Sequence, residues 1–453
     1  MREVADEQLT LVPQPIAHPH GEVLETIGRL LDVVLEQVGP AVVCDLVRGL
    51  RKPARGRRGM TARQVIAALV IKQMTAFSYE ELAFHLADSD SYRRLFGYGL
   101  GDRPPSAKTL QRNIKKLRPE TLERLNQELT RYAKAQGIED GQRVRVDCTV
   151  TASNIHAPTD SSLLDDCVRV LVRNLHRAAA LVRFGFTDHT KRARRRAIGI
   201  QYAACKAKRR PLYRDLIKIT DKTVRAAERA AVALDRGRFD DPIDAVGALA
   251  LANELRSIIP LAKRVVVQAR RRVLDGESVP ATDKIVSIFE PHTDIIKKDR
   301  RETHYGHKLC LAGGASGLFT DCTIEEGNPA DATLAIDMVE RHQERFGAPP
   351  AEVAFDGGFA SRANLEAIKA LGVDAVSFSK KRGLEVADGS VGSSRLYRIL
   401  KNFRAGIEAW ISLLKRSFGL GRCTWRGFES FKAYVWGSVI AANLLTIARH
   451  RLA

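Results

Sequence analysis

The 453-residue chain has seven cysteines, at 44, 148, 167, 205, 310, 322 and 423, and no two stand in a Cys-x-x-Cys pair. A zinc finger or a disulfide framework is therefore not expected, and Cys148 reads as a small buried hydrophobe. Long apolar runs are missing too, since none reaches the roughly 18 residues that a membrane span needs. The N-terminus, with Glu3, Asp6 and Glu7, lacks the pattern of a signal peptide, so a cytoplasmic, nucleoid-associated protein is expected. The Gly-rich stretch 313–317 lacks the Lys-Ser/Thr ending of a phosphate loop, which speaks against a nucleotide cofactor. Acid is also scarce: 53 Asp and Glu face 73 Lys and Arg, a net charge of +20. Such a balance favours a polyanionic partner, and nucleic acid is the economical choice over a membrane surface.

Length suggests two or three domains. Residues 1–20 are aperiodic and read as a loose arm. Residues 21–140 read as an all-α domain with capping boxes at Thr61–Gln64 and Ser78–Glu81. A further helix, Ser106–Leu117, would show Lys108, Gln111, Arg112, Asn113, Lys115 and Lys116 outward. That side-chain set can read base edges and grip phosphates, as in the second helix of a helix-turn-helix with Ser78–Ala87 before it; a solvated face on a packing domain is the other reading. The basic tract Arg51–Gly59 is a linker or a minor-groove arm.

A first core segment, 141–160, is followed by a helical stretch at 161–282. From Arg169 to Arg214 it carries fourteen Lys or Arg against one acid, Asp188. Arg194, Arg195 and Arg196, then Lys208, Arg209 and Arg210, form clusters suited to phosphates of any sequence, while Asp160, Asp165 and Asp166 read as helix caps. From 283 to 453 an alternating β/α pattern resumes, with strands at His304–Gly313 and Leu318–Ile324. Asn328, Pro329 and Asp331 read as N-cap, first-turn proline and first-turn acid of a helix from Ala332 to about Phe346. His304 and His307 fall on opposite strand faces and so make a poor joint metal site.

Three carboxylates stand in distinct settings. Asp147 sits in the apolar strand Val144–Val150, on the face opposite the valines. Asp356 ends the strand Glu352–Asp356, just before two glycines. Glu408 lies on a helix expected from about Arg404 to Phe418, with Ile407, Trp410, Ile411, Leu414 and Phe418 as its apolar stripe. At 100° per residue, Arg404, Glu408 and Lys415 fall within about 40° of one another. A convergent carboxylate triad suits a two-metal site that acts on phosphodiesters, because divalent ions need hard oxygen ligands.

The spacing Arg404-x3-Glu408-x6-Lys415 resembles the Arg-Glu-Lys part of the Tyr-Arg-Glu-Lys signature of bacterial insertion-sequence DDE transposases, although the signature's Tyr position is Lys401. The segments Asn154–Leu164, Ser287–Thr293, Tyr305–Lys308 and Phe355–Ser361 are similar to the same group, in the expected order over most of 141–435. The resemblance implies an α/β fold: a ribonuclease-H-like mixed sheet flanked by helices, with a helical insertion and an N-terminal all-α DNA-binding domain. It implies that Asp147, Asp356 and Glu408 hold two Mg²⁺ (or Mn²⁺) ions, that Arg404 and Lys415 bind DNA phosphate, and that a homodimer pairs two ends of double-stranded DNA. A nuclease of the same fold without strand transfer, or a DNA-binding regulator with a dead core, are the rival expectations.

Overall fold

The structure, a computed structural model, describes residues 18–49, 59–98, 102–298, 302–379 and 391–453. Residues 1–17 of the expected arm, the basic tract at 51–58, and residues 381–390 of the loop expected before the Glu408 helix lie outside the described residues.

Six helices open the fold. α1 (Pro19–Val47) follows N-cap His18; Pro19 lies in the first turn, where a missing N–H is tolerated, and a second proline, Pro40, lies inside the helix. α2 (Ala62–Thr75) and α3 (Tyr79–Asp88) start at the two expected capping boxes. α4 (Asp90–Phe96), α5 (Ala107–Ile114) and α6 (Pro119–Ala135) complete the set. Ser106 caps α5 as expected, but the helix stops at Ile114, three residues early.

These helices do not close a core by themselves. The last helix, α14 (Phe428–Leu452), is apolar almost all round, which favours full burial, and it packs among α1, α2 and α6. One cluster joins Leu31, Ile66 and Leu122 with Val439, Ile440 and Leu444. Asn443 clasps the junction: it donates to Asn126 Oδ1 at 2.7 Å and to the Phe319 carbonyl at 2.8 Å, and accepts from Phe319 N–H at 2.9 Å. Contrary to the expectation of no membrane-length stretch, Phe428–Leu452 and Pro242–Leu274 are both long and apolar enough by composition, because Ser438, Asn443 and Thr446 in the first, and Glu254 and Arg256 in the second, interrupt a run without making the window polar. The first is a core helix, with 83% of its apolar window buried inside the protein.

The sheet is mixed and six-stranded. Its strands are β1 (Arg143–Ala152), β2 (Asp294–Lys298), β3 (Glu302–Gly313), β4 (Phe319–Ile324), β5 (Glu352–Phe355) and β6 (Ala375–Phe378). The order is β2-β3-β1-β5-β6, with β4 also on β3; β1 runs antiparallel to β3 and parallel to β5. β2 is an element the sequence reading did not name. α11 (Ala335–Phe346) and α12 (Arg362–Ala370) cover one face over Val144, Val146 and Phe355. α13 (Ser394–Ser417) covers the other, where Ile407 and Leu414 meet Leu309 and Leu311. The expected mixed α/β architecture is present.

Between β1 and β2 stand α7 (Asp160–Leu181), α8 (Thr190–Tyr202), α9 (Lys206–Arg236) and α10 (Pro242–Ala269). They share a core of their own that includes Leu164, Leu171, Ala227 and Leu255. The caps differ from expectation: Thr159 and Ser162 form the capping box of α7. Asp160 instead accepts from Gln268 and Arg272, Asp165 from Arg194, and Asp166 from Arg169.

Candidate active site

Strand alternation sets the first carboxylate. Val144 and Val146 enter the α11 and α12 side, so Arg145 and Asp147 face α13. That second face is not solvated. Arg145 is buried, its guanidinium over the Phe403 ring at 4.6 Å and the Trp410 ring at 5.4 Å, and it donates to the Phe403 carbonyl at 2.9 Å. A Cβ at Gly406 would collide with this guanidinium, so glycine lets α13 lie against β1. One turn further along the same face, Trp410 fills the space beside Gly317, whose φ of +89° favours glycine in the β3–β4 turn.

The second carboxylate follows from register. Parallel pairing sets Val146 beside Phe355, and the next residue on each strand is Asp147 and Asp356. β5 ends there, and Asp356 opens a short 3-10 turn, Gly357–Phe359. The third comes from α13, which begins at Ser394 behind N-cap Ser393, ten residues before the expected start. Ile407, Ile411, Leu414 and Phe418 are buried as the stripe requires.

Arg404 is placed differently from expectation. Rather than lying on an open helix edge, it is 5% exposed and sits among the carboxylates. One guanidinium nitrogen lies 2.9 Å from Asp147 Oδ2 and 3.4 Å from Asp356 Oδ1, and another donates to Glu408 Oε1 at 2.8 Å. The reason is the pinning of α13 by Arg145, which brings the first turn facing β1 down onto the strand ends. Lys415 is half-buried and does not line the cleft formed here.

That cleft, of about 680 Å³, is lined by Asp147, Asp356, Glu408 and Arg404 together with Thr149, Lys297, Lys308 and Asp331. Cys148, expected to be buried, is half-buried and also lines it. Asp331 corrects another expectation. Residues 331–334 form a 3-10 turn preceded by Ala330, with no side-chain cap, and α11 starts only at Ala335. The Asp331 carboxylate instead pairs with Lys308 at 2.9 Å. His304 and His307 diverge as expected: His307 is buried against His292, ring nitrogens 2.8 Å apart, while His304 is half-exposed beside Glu302. Burial, more than any neighbour, holds the His292 pKa below its usual value.

Among the described residues no three His, Cys, Asp or Glu side chains are spaced to hold a metal ion as they stand; the Arg404 guanidinium lies where Asp147, Asp356 and Glu408 converge. The donor set nonetheless fits a hard divalent cation. All three ligating groups would be carboxylates, and Asp356 Oδ1 is buried with no hydrogen-bond partner.

The expected DNA-contacting residues fall into two groups. On α5, Lys108, Gln111 and Arg112 are exposed, as is Lys115 just after its end, and Leu110 and Ile114 are buried. Asn113 instead bonds the Thr109 carbonyl at 2.9 Å, and Lys116 reaches the Leu46 carbonyl at 2.6 Å, so neither faces outward as expected. α4 intervenes between α3 and α5, so the pair is not joined by the short turn of a helix-turn-helix. In the insertion, Arg195 and Lys208 are exposed. Arg196 pairs with Asp215 at 2.7 Å and Arg194 with Asp165 at 3.3 Å. Arg209 and Arg210 donate to the carbonyls of Ala203 and Leu274. The linear count of one acid missed Asp165 and Asp215 because helix packing brings them from just outside the counted window.

Residues 268–444 match the family model of the transposase DDE domain, and residues 16–116 match that of a transposase domain (DUF772). The first span contains Asp356, Arg404, Glu408, Lys308 and Asp331, whereas Asp147 lies outside both. No curated protein and no solved structure matches the chain.

Proposed function

The chain belongs to the DDE transposases of insertion sequences, and from that premise we propose that Asp147, Asp356 and Glu408 are its catalytic triad, on a ribonuclease-H-like core that cuts DNA at the element's ends and joins it to a target. The observation that carries the reading is the meeting of these three carboxylates, from β1, the end of β5 and α13, on one guanidinium in one cleft. The triad would hold two divalent cations, Mg²⁺ or Mn²⁺, which when bound supply an activated water or 3′-hydroxyl and stabilise the leaving oxygen. The protein's own part is placement. Arg145 fixes α13 over β1, and that contact sets where Glu408 stands relative to Asp147. Arg404 keeps the carboxylates together and offers donors to the nonbridging oxygens on which charge develops.

DNA would be read by Lys108, Gln111 and Arg112 on α5 and gripped by the insertion through Arg195 and Lys208, with Arg194, Arg196, Arg209 and Arg210 beside them. Lys415 would contact the element's end beyond the cleft. Two copies, each holding one end, would make the working unit, in the cytoplasm where the DNA is. The test is cleavage and target joining by Asp147→Asn, Asp356→Asn and Glu408→Gln. Each isosteric change removes a charge with little change of shape, so end-binding should persist while both reactions fall below detection. Near-normal cleavage by any one of them removes that residue from the triad, and cleavage by wild type without joining reduces the protein to a nuclease.

A further inference from the structure

β1 runs on to Ala152, whereas β5 ends at Phe355. Among the described residues, no strand pairs with β1 on the β5 side from Asp147 to Thr151, where Leu420–Cys423 bridges only its end at Ala152. The cleft takes lining residues from both faces of the sheet, Asp147 and Thr149 from one and Cys148 and Lys308 from the other. Lys308 stands on β3 opposite Val150. Alternation turns it to the face away from Asp147, yet its side chain lines the same cleft. A lysine only 8% exposed must have its charge satisfied. Its ammonium donates to the Pro329 carbonyl at 2.5 Å and to Asp331 Oδ1 at 2.9 Å, which leaves the third of its three protons for another acceptor. Asp331 in turn lies against the Asp356 turn, where a Cβ on Gly358 would come within 2.7 Å of Asp331 Oδ2. The ammonium is thus fixed in place beside the triad. Arg404 shares its guanidinium among three carboxylates, and Lys297 is exposed at the rim, so Lys308 is a further cation of the cleft, held apart from the carboxylate cluster.

We infer that Lys308 binds a backbone phosphate of the DNA strand in the cleft, with Asp331 as its positioning residue. The inference rests on the cleft being the DNA site, as proposed above. A phosphate oxygen supplies the acceptor the third proton lacks, and a charge-assisted bond there fixes the strand's register against the carboxylates. The 328–331 segment, which gives both the carbonyl and the carboxylate, acts as the bracket for that ammonium.

The experiment measures binding, in EDTA, of a duplex from the element's end that carries one neutral methylphosphonate at successive positions around the cleavage point. Wild type should lose about tenfold in affinity at one or two positions, the size expected for one charge-assisted contact. Lys308→Gln should bind the all-phosphate duplex about tenfold more weakly and lose nothing further at those positions, because that contact is already gone. Asp331→Asn, which keeps the ammonium but loosens its bracket, should show a shallower loss at the same positions. A folded Lys308→Gln protein with the wild-type interference profile overturns the inference. Where circular dichroism shows that variant unfolded, Asp331→Asn decides, and an unchanged profile there overturns it equally. Cleavage of the same duplex in Mg²⁺ is scored separately, so that failure of the transposase reaction is distinguishable from failure of this contact.

Discussion

At the scale of single residues, Arg404 governs the site. Three carboxylates brought together repel one another, and one guanidinium within 3.4 Å of all three offsets much of that repulsion. Breaking a buried charge pair by removing one partner costs about 3–5 kcal/mol. Glu408 is 59% exposed in its side chain while Asp147 is only 13% exposed, so water screens part of the charge and the cost here is on the order of 2 kcal/mol. Arg404→Gln is therefore expected to lower the melting temperature in EDTA, and added Mg²⁺ is expected to raise it more for the variant than for wild type, since the cation then meets carboxylates without a competing guanidinium. Equal melting temperatures for the two proteins in both conditions would show that Arg404 does not hold the carboxylates together. The sequence marked Arg404 as a neighbour of Glu408, but its partners at 147 and 356 are set by register and by the pinning of α13, which no local spacing encodes.

At the scale of elements, capping chemistry was legible among the first helices and misread at Asp160, Asp165 and Asp166 and at Asn328–Asp331, where the acids turn to partners across the fold. The boxes at Thr61 and Ser78 and the cap at Ser106 are local hydrogen bonds between residues three apart, and all three formed where expected. β2 escaped notice because its five residues, Asp-Ile-Ile-Lys-Lys, carry no full alternation and draw their pairing from β3. The two basic elements differ in what their side chains are free to do, and a binding series separates them. Replacing Gln111 and Arg112 with Ala should erode the preference for the terminal repeat over a scrambled end, because each base-reading side chain is worth about 1–3 kcal/mol of discrimination. Replacing Arg195 and Lys208 with Ala should weaken both DNAs alike and flatten the salt dependence by about one unit per lost phosphate contact. If the insertion variant loses preference and the α5 variant does not, the two roles are exchanged.

At the scale of the whole molecule, the first helices and the last share one core. α14 lies among α1, α2 and α6 and reaches β4 through Asn443, whereas α7 to α10 bury their apolar faces on one another. Unfolding should follow these cores. A fragment spanning 159–284 is expected to fold with a cooperative melt, and a fragment spanning 18–140 is expected not to, since the helix that fills its centre comes from 428–452. Calorimetry and limited proteolysis of the two fragments check this, and a cooperative melt for 18–140 alone would refute it. The consequence for function is that the face bearing α5 and the sheet bearing the triad are joined through packed helices rather than by a tether.

What the sequence by itself determined is whatever short-range chemistry dictates. Net charge pointed to a polyanion, residues three apart announced the helix starts, and period-two alternation turned Asp147 away from the valines. Motif spacing singled out Asp356 and Glu408. Only the tertiary structure decided the rest, because it depends on contacts between residues far apart in the chain. It placed Arg404 among the three carboxylates, took Asp331 from a supposed helix start to the side of Lys308, paired Arg194 and Arg196 with acids from other turns, and put the last helix among the first ones. In each case a charged or apolar group left unsatisfied by its neighbours in sequence found its partner across the fold, and burial made that partner necessary.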